Sequence, residues 1–225
     1  MIVHTDWLLT AQRVAIHVPT ATAVVADLHL DYGECRRRAG EAIPFIDISE
    51  QLQPLGKAIT KHAVRRLVIA GDLFEAGFCP EVAREFQQWL AAAGVKLTAI
   101  VPGNHDRDLN LWTEIGPIAS GGFMLDRWCI LHGNEKIPHG TVVHGHFHPC
   151  VRWHGKKLPC YLIGQNRIVL PAFSLDAAGV NVNNDHAWEG YHFIAIQSGK
   201  LLAGVGVKGQ MSNVKCNIKH LISNI

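Results

Sequence analysis

Three short apolar runs, each ending in a polar residue able to bind a metal, constrain this chain most. They are residues 22–26 (TAVVA), 67–70 (LVIA) and 97–101 (LTAIV). Runs this short and this apolar suit strands buried on both faces. The segments between them carry helical spacing. In 49–64 the apolar positions are Leu52, Leu55, Ile59 and Ala63; in 80–93 they are Val82, Phe86, Trp89 and Leu90, with Pro80 in the first turn and Gly94 as the C-cap. Strand and helix therefore alternate through the first half. Ahead of it, residues 7–18 read as a strand pair or one bent strand.

The second half changes character. FMLDRWCILHG, TVVHGHFH, RIVLPAFS and YHFIAIQSGKLLAGVG are β-rich segments, and Ser198-Gly199 between two apolar runs signals a hairpin. A βαβαβ start followed by mostly β predicts two mixed sheets packed face to face with helices outside, an α/β sandwich. No repeat or linker divides residues 1–225, so a single domain is expected. Residues 209–225 are polar and loosely patterned, as in a docking tail or a disordered end.

Composition narrows the function classes. The formal net charge is +2, so there is no strong basic field, and any nucleic-acid contact must rest on a local patch. No stretch reaches the roughly 18 apolar residues of a membrane span. The N-terminus lacks a secretory pattern, and none of the six cysteines forms a C-x-x-C pair. A reduced, cytoplasmic protein is expected. The 14 histidines are the unusual count. His4, His17, His62 and His220 have no partner motif and read as structural or solvated; His139 and His154 read as surface residues.

Five of the other histidines fall in motifs at the ends of apolar runs. Asp27-Leu28-His29 follows VVA, Gly71-Asp72 follows LVIA, and Gly103-Asn104-His105-Asp106 follows LTAIV. His132-Gly133 follows CIL, and His144-Gly145-His146 follows TVV. In open α/β sheets the loops at the carboxyl ends of strands converge on one crevice, where ligands bind. Carboxylate, imidazole and amide oxygen make a mixed O/N set without thiolate, suited to Mn²⁺, Fe or Zn²⁺. Gly145 lets the backbone approach closely. Alone, D-x-H or Gly-Asp is an ordinary turn; the ordered set is not.

The order D-x-H, G-D, G-N-H-D, H, G-H-x-H resembles the calcineurin-like metallophosphoesterase superfamily over roughly residues 22–148. The stretch ADLHLDYGECRRRAGEAIP is similar to the ligase-associated DNA endonuclease (PdeM) branch, related to SbcD-type nucleases. Asp31 stands where that branch often has Gly. The resemblance implies a four-layer α/β/β/α sandwich of the metallo-dependent phosphatase type. It also implies two divalent ions, Mn²⁺ foremost, with Fe, Zn²⁺ or Mg²⁺ as alternatives. Asp27, His29 and His146 would hold one ion, Asn104, His132 and His144 the other, and Asp72 would bridge them. Ions about 3.5–4 Å apart can clamp the attacking and leaving oxygens of a phosphoryl displacement, with metal-bound hydroxide as nucleophile.

His105, beside Asn104, is the expected acid for the leaving alkoxide. Asp106 either orients His105 or caps the loop. His148 is a substrate contact or an exposed loop residue. Arg36, Arg37 and Arg38 either grip substrate phosphates or form a solvated helix face. The expected activity is phosphodiester hydrolysis on nucleic acid, single-stranded or damaged DNA, as an endonuclease linked to repair. A DNA ligase or helicase is the partner the resemblance implies, and self-association is left open. A nucleotide or cyclic-nucleotide phosphodiesterase, or a pyrophosphohydrolase, is the alternative on the same fold. A non-catalytic scaffold would have lost ligands that this chain retains.

Overall fold

The computed structural model describes residues 1–204 apart from 45, 109–110, 112–114, 178 and 184. The segment 209–225, with Cys216 and His220, lies outside the described residues. The N-terminal sheet contains β1 (Ile2–Val3), β2 (Trp7–Leu9), β3 (Ala15–His17), β4 (Thr22–Val25), β5 (Arg66–Ala70) and β6 (Lys96–Val101), in that spatial order. Residues 7–18 are thus an antiparallel hairpin, while β4, β5 and β6 run parallel. Each parallel pair needs a crossover, and helices supply it. They are α1 (Tyr32–Arg38), α2 (Ile48–Gln51) and α3 (Gln53–His62) after β4, then α4 (Pro80–Ala93) after β5.

The helix expected over 49–64 is broken at Leu52. Pro54 in the first turn of α3 carries no N–H to continue the ladder from α2. The Asp47 carboxylate accepts from Glu50 N at 2.8 Å and starts α2. α4 runs as its spacing predicts, burying Ala83, Phe86 and Leu90 and ending where Gly94 N–H donates to the Leu90 and Ala91 carbonyls.

The second sheet contains β7 (Phe123–Leu125), β8 (Trp128–Leu131), β9 (Val142–His144), β10 (Pro149–Trp153), β11 (Lys156–Gly164), β12 (Arg167–Val169), β13 (Val180–Asn181), β14 (His192–Gln197) and β15 (Lys200–Gly204). Its main path is β13-β10-β11-β12-β9-β8-β7, and β14 pairs with β11 and β15. β8, β9 and β12 are parallel and the hairpins antiparallel.

Three apolar clusters define the layers. One lies between the helices and the first sheet, joining Leu55, Phe86, Val25 and Ile69. The second lies between the sheets, where Trp7, Val24 and Val68 meet Trp128, Val143 and Tyr161. The third covers the outer face of the second sheet, where Val151, Leu162 and Phe193 pack with Val182 and Trp188. The two mixed sheets of an α/β fold are as expected. Of the two outer helical layers expected, the described residues form one. The other outer face is covered by the segment around the short 3₁₀ turn His186–Trp188. Among the described residues no helix is long and apolar enough to cross a membrane, and the described cysteines are free thiols.

Candidate metal centre

The carboxyl ends of β4, β5 and β6 meet those of β8 and β9 because main-chain hydrogen bonds lock the exits together. Asp27 N donates to Gly71 O at 2.9 Å, Leu28 N and His29 N both donate to Asp72 O, and Gly145 N donates to His132 O at 2.9 Å. Phe173 N and Ser174 N, past β12, donate to Ala26 O and Asp27 O and join the second sheet to the first. Arg13 fixes that segment: its guanidinium donates to the carbonyls of Ala172, Phe173 and Ser174.

Two glycines are required for this approach. Gly71 has φ +90°, and a β-carbon there would fall on the His132 ring. At Gly145 a β-carbon would collide with Ala26 and with the Asp27 carboxylate. A side chain at either position would displace a site residue.

One group of donors forms around His132. Its Nε2 lies 3.0 Å from Asn104 Oδ1, 3.1 Å from His146 Nδ1 and 3.3 Å from Asp72 Oδ2. Its Nδ1 donates to Ala70 O at 3.2 Å, which leaves the Nε2 lone pair facing the others. Burial works against charge on Asp72, but the His132 ring and the His105 N–H outweigh it and hold the carboxyl below its ordinary value.

The second group is Asp27, His29 and His148. His148 Nε2 is 3.3 Å from Asp27 Oδ1 and, although buried, has no hydrogen-bond partner. Asp27 is fully buried and accepts from His146 N at 3.1 Å and 3.2 Å to its two oxygens. Among the described residues neither Asp27 nor Asp72 has a Lys or Arg partner. Buried carboxylates ringed by imidazole and amide oxygen, with an orphaned imidazole nitrogen beside Asp27, are the donor set of a hard or borderline divalent cation.

The backbone marks five of these residues. Asp27, His29, Asp72, His146 and His148 all have positive φ, between +44° and +71°. Left-handed backbone is costly for residues with a β-carbon, and strain of this kind gathers at functional sites.

The structure therefore brings Asp27, His29, Asp72, Asn104, His132 and His146 together, as the sequence predicted. It does not bring His144. That residue ends β9, is fully buried, and has its Nδ1 on Gly145 O at 3.1 Å; burial pushes its pKa down to about 4. The chain turns toward the centre only beyond Gly145. His148 consequently stands with Asp27 and His29, where His146 was expected, and His146 stands with His132, where His144 was expected. Both roles move one histidine further along the chain.

His105 lies beside the groups, its ring 5.1 Å from that of His29. Its main-chain N donates to Asp72 Oδ1 at 2.9 Å and its Nδ1 donates to Glu75 O at 2.7 Å. Asp106 does not orient it. The Asp106 oxygens accept from Gly103 N at 2.8 Å and Phe74 N at 3.2 Å, tying the β6 exit to the β5 exit. Burial raises this carboxyl to about 7 against the pull of those donors. Of the two readings of Asp106, the loop cap is the one the geometry meets.

The arginine run lies on α1. Arg36 pairs with Glu41, and Arg37 and Arg38 pair with Glu34, at 2.7, 2.7 and 3.0 Å. Each charge is already partnered. Glu75, which no motif singled out, is the addition: its Oε2 lies 2.7 Å from His29 Nδ1.

A family model described as calcineurin-like phosphoesterase matches residues 21–167. No curated protein matches the sequence. Among solved structures, the crystal structure of Pseudomonas putida nuclease MPE is similar, with a TM-score of 0.72 and 20% identity. The match covers 90% of this chain and 98% of that one. At that identity the likeness shows the fold.

Proposed function

Because the chain belongs to the calcineurin-like phosphoesterase family, and is thus a metal-dependent phosphoesterase, we propose that it is a two-metal phosphodiesterase acting on single-stranded or damaged DNA. The observation that carries this reading is the pair of adjoining donor groups, five of whose seven members stand on left-handed backbone. Asp27, His29 and His148 would hold one ion, Asn104, His132 and His146 the other, and Asp72 would be shared between them. Two divalent ions held there, Mn²⁺ in this reading, supply Lewis-acid charge for the phosphoryl oxygens and activate the attacking water.

The chain's own residues do the rest. His132 keeps one lone pair on the centre because Ala70 O holds its other nitrogen. Asp27 is oriented by the His146 N–H. His105, with Nδ1–H committed to Glu75 O, leaves Nε2 as the nitrogen that can pass a proton. Protonated there, it donates to the leaving sugar oxygen as the P–O bond breaks.

The DNA substrate is supported by the resemblance around residues 26–44 and by the fold shared with a nuclease. A ligase or helicase partner, self-association and a cytoplasmic setting belong to the same proposal. One observation favours the second reading, a nucleotide or cyclic-nucleotide substrate: the arginine run is neutralised by Glu34 and Glu41, and extended DNA needs cationic contacts. A substrate panel with Mn²⁺ decides. Cleavage of single-stranded DNA above cyclic dinucleotides and dinucleoside polyphosphates supports the first reading, the reverse order the second, and no hydrolysis with any divalent metal sinks both.

A further inference from the structure

Glu75 sits between two histidines of the centre and touches both. Its Oε2 is 2.7 Å from His29 Nδ1 and 3.8 Å from His105 Nδ1, and its main-chain oxygen accepts from His105 Nδ1 at 2.7 Å. His29 Nδ1 is buried and has no hydrogen-bond partner apart from this carboxylate. Glu75 is itself held. Its N–H donates to Asp31 Oδ1 at 2.6 Å, and the other Asp31 oxygen accepts from Cys35 Sγ at 3.2 Å. Asp31 is buried, so its contacts with Glu75 N and Cys35 stand in for water. Asp31 is also the residue at which the chain departs from the glycine of the branch it resembles.

An imidazole that binds a cation through one nitrogen needs the other fixed, or the ring turns and the wrong tautomer faces the ion. We propose that Glu75 is a positioning residue for both histidines. Its carboxylate holds His29 by Nδ1, its carbonyl holds His105 by Nδ1, and Asp31 anchors the segment that does both. The inference rests on the two-metal reading above. It adds that the first ion's ligand and the acid are set by one residue, so the two are placed together.

The test uses the full chain, first without metal, at a pH where imidazole is neutral. Long-range ¹⁵N–¹H spectra report the tautomer of each histidine. In the wild type both His29 and His105 carry the proton on Nδ1. In Glu75→Ala, His29 reverts to the Nε2–H form favoured in water while His105 keeps its tautomer. In Asp31→Ala both lose their preference. An unchanged His29 tautomer in Glu75→Ala overturns the proposal.

Mn²⁺ titration then follows. Glu75→Ala weakens the first ion about 10- to 100-fold and leaves the second within about threefold, with kcat falling in step. Glu75→Gln, whose amide oxygen can still accept, recovers most of both. Wild-type affinity and kcat in Glu75→Ala overturn the proposal, as does an equal loss at both ions. A wild type without Mn²⁺-dependent hydrolysis overturns the proposed function instead, and the tautomer result still decides Glu75.

Discussion

His148 Nε2 lies 3.3 Å from Asp27 Oδ1, whereas the buried ring of His144 turns its Nδ1 to Gly145 O. The two histidines share a short segment yet differ in what their neighbours allow. Each has a buried ring nitrogen without a hydrogen-bond partner, but only that of His148 lies beside a buried carboxylate, whereas His144 is packed at a strand end. His148→Ala is expected to lower Mn²⁺ stoichiometry from two ions to one and to abolish phosphodiester hydrolysis. His144→Ala is expected to keep both ions and lose about 2 kcal/mol of stability. Calorimetric titration and denaturant unfolding check the pair, and a His144→Ala chain that cannot hold its second ion restores His144 as a ligand.

In the proposed mechanism His105 separates acid catalysis from metal activation. A sugar alkoxide is a poor leaving group and needs a proton, whereas p-nitrophenolate leaves unaided. His105→Ala is expected to lower DNA cleavage by roughly 10²- to 10⁴-fold while reducing bis-p-nitrophenyl phosphate hydrolysis far less. Its main-chain bond to Asp72 survives the substitution, so metal binding stays intact. Equal losses on the two substrates would mean that His105 does not supply the leaving-group proton.

Asp106 acts on the loops and not on a proton. Removing its carboxylate takes away the acceptor that Gly103 N and Phe74 N share. Asp106→Ala is therefore expected to cost about 2–3 kcal/mol and to lower turnover on both substrates alike, because Asn104 and His105 ride on the loosened loop. Comparing the two rates is the check. A loss confined to DNA would return Asp106 to the acid.

Much of this was legible because the site is built at strand ends. Residues 22–26, 67–70 and 97–101 announce their strands by apolar content, and the candidate ligands follow at once. Strand alternation alone does not decide which histidines of the His144-Gly145-His146-Phe147-His148 run face the centre. Alternate spacing fits either pair, and the choice falls to left-handed backbone at His146 and His148. The run Gly145-His146-Phe147-His148 does hold G-H-x-H in that register. Glu75 was invisible for another reason: it contacts His29 only when the β4 and β5 exits are side by side, a relation no local pattern encodes. The strand pair β10–β11 was missed because Lys156, Lys157 and Pro159 interrupt its apolar alternation.

The arginine run gives a prediction that follows from its pairing on α1. Arg36, Arg37 and Arg38 each meet Glu41 or Glu34 on or beside the same helix. To grip a phosphate, each would first have to release a carboxylate, and Glu34 and Glu41 would then repel the same phosphate. Exposed pairs of this kind add little to stability, so replacing all three arginines with Gln should leave the fold intact. An arginine that neutralises one phosphate of a single strand steepens the fall of log(kcat/KM) with log[salt] by about 0.7. If all three did so, the triple variant would flatten that slope by about 2. The pairing predicts instead that the variant changes the slope for DNA cleavage by less than about 0.7. A change near 2 would show that the helix exchanges its carboxylates for the substrate backbone, and would place α1 on the DNA path.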